Sequence, residues 1–90
     1  MADELRRELM QSKNYCTDRL AELKTELNRL QEEGTSLKAE LEGSTDSKAA
    51  GLIRRRRMYL SRRVGELKTE RSARTEELQK ANEQLKALPR

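Results

Sequence analysis

Apolar residues recur in the first half of the chain at alternating steps of four and three. This spacing is typical of a coiled-coil seam, in which positions a and d of successive heptads face another helix. With Leu20 taken as position a, we predict a first helix over residues 1–42. Arg6, Lys13 and Gly34 interrupt its seam, and the apolar seam positions are Leu9, Cys16, Leu20, Leu23, Leu27, Leu30, Leu37 and Leu41.

The same spacing returns in the second half of the chain, two residues out of phase with the first half. A stammer or stutter of three or four residues does not account for this shift, so we predict a second helix over residues 47–88. Arginine occupies three of its seam positions, Arg57, Arg71 and Arg74. Its main apolar seam positions are Ile53, Leu60, Val64, Leu67, Leu78 and Leu85.

Residues 43–46 separate the two periodic segments and have the composition of a turn. Gly43 suits the left-handed conformation that commonly follows the last turn of a helix. Ser44, Thr45 and Asp46 are all favourable N-cap residues for the next helix. Because the two arms have nearly equal lengths, we predict that the chain folds back on itself. The predicted fold is all-α, an antiparallel coiled-coil helical hairpin.

The charges that flank the seam also favour a hairpin, in which position g of one helix faces position g of the other. These positions are Arg19, Glu26, Glu33 and Glu40 in the first helix and Arg56, Arg63, Glu70 and Glu77 in the second. A parallel homodimer would instead set g against the following e, which opposes Arg19 to Lys24 and Arg63 to Lys68.

Two antiparallel registers remain open from the sequence. One pairs Glu40 with Arg56, Glu33 with Arg63 and Arg19 with Glu77, and it sets Glu26 against Glu70. The other is tighter by one heptad; it pairs Glu33 with Arg56, Glu26 with Arg63 and Arg19 with Glu70, and it sets Lys13 against Arg74. Each ion pair on a surface contributes only ~0.2 to 1 kcal/mol, so these charges do not choose between the two.

The composition predicts that the hairpin has a partner. The 90 residues are 40% charged and 33% hydrophobic, with no Trp or Phe, which is too little for an ordinary two-layer core. A single seam interrupted by charged residues gains little against the entropy lost on ordering the chain. We therefore expect either self-association into a helical bundle or docking on another protein's helices.

Two further features bear on the setting of the protein. No apolar run is long enough to cross a membrane, and the acidic start at Asp3 and Glu4 is unlike a signal peptide. We therefore expect no membrane partner and an intracellular protein, cytoplasmic or nuclear. The single Cys16 excludes an internal disulfide, and its seam position predicts that it packs as a small apolar residue.

The basic residues concentrate in the second helix. Residues 1–45 carry seven basic and ten acidic side chains, and residues 46–90 carry thirteen and six. Six arginines fall within residues 53–63, namely Arg54, Arg55, Arg56, Arg57, Arg62 and Arg63. At ~100° per residue these side chains surround the helix. They have three interpretations: ion pairs with the first helix, a DNA or RNA phosphate site, or a surface for an acidic protein partner or a localisation receptor.

The sequence contains none of the residue patterns that catalysis or cofactor binding requires. It has no histidine and one cysteine, which excludes a zinc or haem site and an imidazole base. Its glycines form no phosphate-binding loop. We expect no enzyme, cofactor or small-molecule substrate. The predicted function is a coiled-coil oligomerisation or scaffolding module that binds a partner protein; the alternative is a nucleic-acid-binding protein that uses the arginines of residues 54–63.

Overall fold

A computed structural model describes residues 2–89, and these residues form two helices and no strand. Helix α1 spans Ala2–Gly43 and helix α2 spans Ser47–Ala87. The two helices pack against each other as an antiparallel hairpin, which confirms the predicted all-α fold. Asp3 and Glu4 lie in the first turn of α1, where carboxylates interact favourably with the helix dipole.

The connection between the helices is short and is fixed by its own hydrogen bonds. Asp46 caps α2, because its Oδ1 accepts a hydrogen bond from the Lys48 backbone N–H at 3.0 Å. The Asp46 carbonyl accepts from the Ala50 N–H at 2.9 Å, as the first bond of the new helix. The Ser44 hydroxyl also donates to the Asp46 carbonyl at 3.3 Å.

The expected left-handed conformation at Gly43 is wrong. Gly43 is the last residue of α1, and none of residues 2–89 has a positive φ. The Ser44 N–H donates to the Leu41 carbonyl at 3.3 Å, so the chain leaves α1 through a tightened i to i+3 turn. A right-handed exit of this kind needs no left-handed residue.

The described chain divides into two compact units, each built from a part of both helices. The turn unit consists of Lys24–Lys68, and its buried side chains are Leu27, Leu30, Ala50, Leu60 and Leu67. The terminal unit consists of the described residues up to Leu23 and from Thr69 onward. Its buried side chains are Leu9, Cys16, Leu23 and Ala81.

The structure places the predicted seam residues as follows. Seven are buried: Leu9, Cys16, Leu23, Leu27, Leu30, Leu60 and Leu67. Seven are half-buried: Leu20, Leu37, Leu41, Ile53, Val64, Leu78 and Leu85. The three arginines at seam positions differ in solvent exposure: Arg57 and Arg71 are exposed, whereas Arg74 is half-buried.

The hairpin adopts the tighter of the two registers. Arg56 binds Glu33 and Arg63 binds Glu26 in the turn unit, and Arg19 binds Glu70 in the terminal unit. In each pair the two residue numbers add up to 89, so the midpoint of the register falls between residues 44 and 45. The turn-forming residues lie at that midpoint. The looser register would centre the turn at residue 48, inside the segment that forms α2.

Candidate functional site

The two flanks of the seam differ in charge within the turn unit. On one side, which we call the carboxylate flank, Arg56 makes a two-pronged contact with the Glu33 carboxylate, with Nη2 3.0 Å from Oε1 and 3.1 Å from Oε2. On the same flank Arg63 Nη2 lies 3.5 Å from Glu26 Oε1. Arg63 also reaches Glu66, one turn further along α2, at 3.2 Å. The carboxylates of α1 on this flank are therefore paired with arginines of α2 across the seam.

The opposite side of the seam, which we call the cationic flank, carries no carboxylate at its e positions. These six positions are Lys24, Gln31, Lys38, Arg54, Ser61 and Lys68. Gln31, Lys38 and Ser61 line one groove together with the seam residue Arg57, which shows that the two helices present this flank on the same side. Glu26 and Glu33 of α1 face the carboxylate flank instead, whereas Glu32 lies next to Gln31 and Thr35 on this side.

The arginine cluster of α2 divides into ion-paired and unpaired side chains. Arg56 and Arg63 form ion pairs within the turn unit, as one of the three interpretations requires. The other four arginines are exposed, and no carboxylate among residues 2–89 forms an ion pair with any of them. These four are Arg54, Arg55, Arg57 and Arg62.

Large apolar side chains are exposed beside these arginines. Met58 is 69% exposed, Leu52 is 60% exposed and Tyr59 is 52% exposed. The Tyr59 ring lies under the Arg56 guanidinium, 4.9 Å from its centroid, which orients both groups. Tyrosine, methionine and arginine are the residue types enriched in protein interfaces. The α2 surface of the turn unit therefore has the composition of an interface.

The terminal unit contains a dense network of charged groups around the half-buried Arg74. Its Nη1 lies 2.8 Å from Glu77 Oε1, and its guanidinium lies over the Tyr15 ring at 5.2 Å from the centroid. Arg19 binds the Glu70 carboxylate with Nε at 2.6 Å, and this contact is the main reason that the pKa of Glu70 falls to about 2. The sequence predicts the Arg19–Glu70 pair as part of one of the two registers, but it does not predict the contact of Arg74 with Tyr15, because that contact depends on the register.

Cys16 lies in the same unit and is completely buried. Its Sγ lies 3.5 Å from Glu77 Oε2, to which the thiol donates a hydrogen bond. Burial, together with the neighbouring Glu77 carboxylate, raises the pKa of the Cys16 thiol. Since the thiolate is the nucleophile, we expect this environment to lower the reactivity of Cys16.

The described residues show neither a metal site nor a membrane span. Within residues 2–89 no cluster of His, Cys, Asp or Glu side chains could bind a metal ion, and neither helix is long and apolar enough to cross a bilayer. Comparisons with protein families, with curated proteins and with solved structures found no match to this chain.

Proposed function

We propose that this protein is a non-enzymatic helical-hairpin module that scaffolds or oligomerises by binding a partner protein through its helices. The observation that carries the proposal is that only part of the arginine cluster is used in ion pairs within the hairpin. Two of its six arginines stabilise the hairpin, and the other four are exposed beside Leu52, Met58 and Tyr59. A surface that combines unpaired guanidinium groups with exposed aromatic and aliphatic side chains is suited to protein binding.

The energetics of the fold support the same proposal. Most of the apolar seam is one layer deep, and half of the predicted seam residues stay partly exposed. Small domains with so little core commonly gain the remaining stability from oligomerisation or a partner. A protein that covers the α2 surface of the turn unit would bury both the apolar side chains and the arginines that flank them.

Site-specific photo-crosslinking tests this proposal. A benzophenone amino acid replaces Met58 in one variant and Met10 in a control variant; Met10 is also an exposed methionine, but lies on α1 in the terminal unit. We expect protein adducts, either with a second copy or with another chain, from position 58 and not from position 10. The same adducts from both positions, or no protein adduct from position 58, would refute the proposed surface.

A second candidate function is phosphate binding to DNA or RNA, which the four unpaired arginines favour. If all four contact phosphates, the logarithm of the binding constant for duplex DNA should fall with the logarithm of salt concentration with a slope of about −3.6. Replacing Arg54, Arg55, Arg57 and Arg62 with glutamine should then abolish binding to a labelled duplex and a labelled RNA strand. Unchanged retention in this variant would eliminate the candidate.

A further inference from the structure

A groove opens beside the seam in the turn unit, on the cationic flank. Its volume is about 410 Å³, and its apolar lining comes from Leu30 of α1 and from Leu60 and Val64 of α2. Lys38 and Arg57 also line it. This size is at the lower end of the range typical of ligand pockets.

The groove exists because two seam positions lack a side chain that could close it. Gly34 occupies a seam position of α1 and lines the groove, and a Cβ added there would meet no heavy atom within 4 Å. Arg57 occupies a seam position of α2, and it is exposed. The heptad pattern would normally place apolar side chains at both positions. Without them the groove stays open above Leu30 and Leu60, which are buried, and beside Val64, which is half-buried.

The charge around the groove specifies what can occupy it. Lys38 and Arg57 line the groove. The cationic flank adds Lys24, Arg54 and Lys68 further along the two helices, and its other two e positions are neutral. Glu26 and Glu33 lie on the opposite flank and are bound by arginines. Glu32 borders the groove side next to Gln31 and Thr35, and the cations of this flank outnumber it. An occupant must therefore bring apolar side chains for the lining and carboxylates for the cations beside it.

We propose that this groove binds an acidic amphipathic helix of a partner protein. A helix that lays apolar side chains at i, i+3, i+4 and i+7 between two antiparallel helices completes a three-helix bundle, and acidic residues beside that apolar stripe would meet the lysines and Arg54. This inference rests on the proposed protein-binding function and specifies both its site and the chemistry of the partner.

The same charges argue against the other occupants. A second copy that docks by the same flank would bring Lys24, Lys38, Arg54 and Lys68 against their own equivalents, and such juxtaposed like charges oppose association. Nucleic acid would satisfy the cations, but its phosphates would make no apolar contact with the half-buried Val64 of the lining.

Fluorescence anisotropy with a designed peptide tests the groove. The probe is a labelled three-heptad peptide with leucine at positions a and d and glutamate at e and g. One control peptide has serine in place of leucine, and another has lysine in place of glutamate. We expect both controls to bind at least about ten-fold more weakly than the probe. Equal binding by the serine peptide would show attraction by charge alone and would overturn the proposal, as would failure of the probe to bind.

Two matched variants locate the binding. Gly34→Leu places a side chain in the groove, whereas Gly65→Leu adds the same side chain to α2 at a position that does not line the groove. Both changes favour the helix, because glycine is a poor helix former, and melting followed by circular dichroism checks that both variants fold. We expect Gly34→Leu to weaken probe binding by at least about ten-fold and Gly65→Leu to leave it unchanged. Equal affinity in both variants would overturn the proposal.

The outcomes separate this inference from the proposed function. If the proposed function fails, position 58 yields no protein adduct. If only the groove assignment fails, the adducts from position 58 persist while the Gly34→Leu variant binds the acidic peptide as tightly as the unmodified protein. Charge reversal adds a further comparison: Lys38→Glu should weaken probe binding more than Lys80→Glu, which changes an exposed lysine of the terminal unit.

Discussion

The packing of the turn unit predicts very different effects for the same substitution at two leucines. Leu27 is 3% exposed and belongs to the core of this unit, whereas Leu52 is 60% exposed on α2 of the same unit. Replacing either leucine with alanine removes three carbon atoms and keeps a good helix former. The comparison therefore isolates burial from helix propensity.

The expected magnitude follows from the apolar material removed. At ~0.8 kcal/mol for each buried carbon group, Leu27→Ala loses about 2.4 kcal/mol of transfer free energy. A cavity adds to this loss where neighbours cannot relax, but the seam is one layer deep and borders solvent, so the added term should be small. We expect a loss of about 2–3 kcal/mol for Leu27→Ala and less than about 0.5 kcal/mol for Leu52→Ala.

Urea unfolding followed by circular dichroism at 222 nm measures both changes. For a domain of this size, a loss of 2–3 kcal/mol corresponds to a fall in the melting temperature of roughly 8–24 °C. Both variants and the unmodified protein should be compared at equal concentration, because self-association would raise apparent stability. Losses of the same size at both positions would refute the burial that the hairpin assigns to Leu27.

Three further predictions concern the polar contacts of the two units. Because the pKa of Glu70 is lowered, its carboxylate stabilises the fold above about pH 4.5, and this contribution disappears as the pH falls toward about 2. The free energy of unfolding should therefore fall less steeply over this pH interval in Glu70→Gln than in the unmodified protein. Parallel curves for the two proteins would contradict the assignment. Arg56→Glu should lower the free energy of unfolding by about 0.5 kcal/mol, and adding Glu33→Arg should recover this stability in a double-mutant cycle. Additive effects of the two substitutions would show that the side chains do not interact. The buried Cys16 thiol should react with a thiol reagent such as DTNB only after unfolding by urea, and rapid reaction of the folded protein would show that it is accessible.

The hairpin was predictable from sequence because its signals are local and repeated. The heptad spacing gives the two seams, and the phase change with Ser44, Thr45 and Asp46 gives the turn. Gly43 misled the local analysis, since glycine permits a left-handed residue but does not require one. The sequence alone does not choose between the two registers, since each gives mostly attractive ion pairs between g positions. The structure resolves it by placing the turn between two complete helices.

The groove could not be predicted because it depends on residues of both helices. Gly34 and Arg57 each look like an isolated interruption of a seam when each helix is considered alone. Only the observed register brings them to one groove with Leu30 and Leu60. The network around Arg74 has the same origin, because the sequence could not place Arg74 against Tyr15 without the register.

The measurement that tests the proposed site most directly is a methyl NMR titration of the hairpin with the acidic amphipathic peptide. Leucine and valine methyl groups report on both units, and those of Leu30, Leu60 and Val64 line the groove. We expect the largest chemical-shift changes at these three residues and small changes at Leu78 and Leu85 of the terminal unit. Changes centred on Leu78 and Leu85, or spread evenly over all methyl groups, would contradict a binding groove in the turn unit.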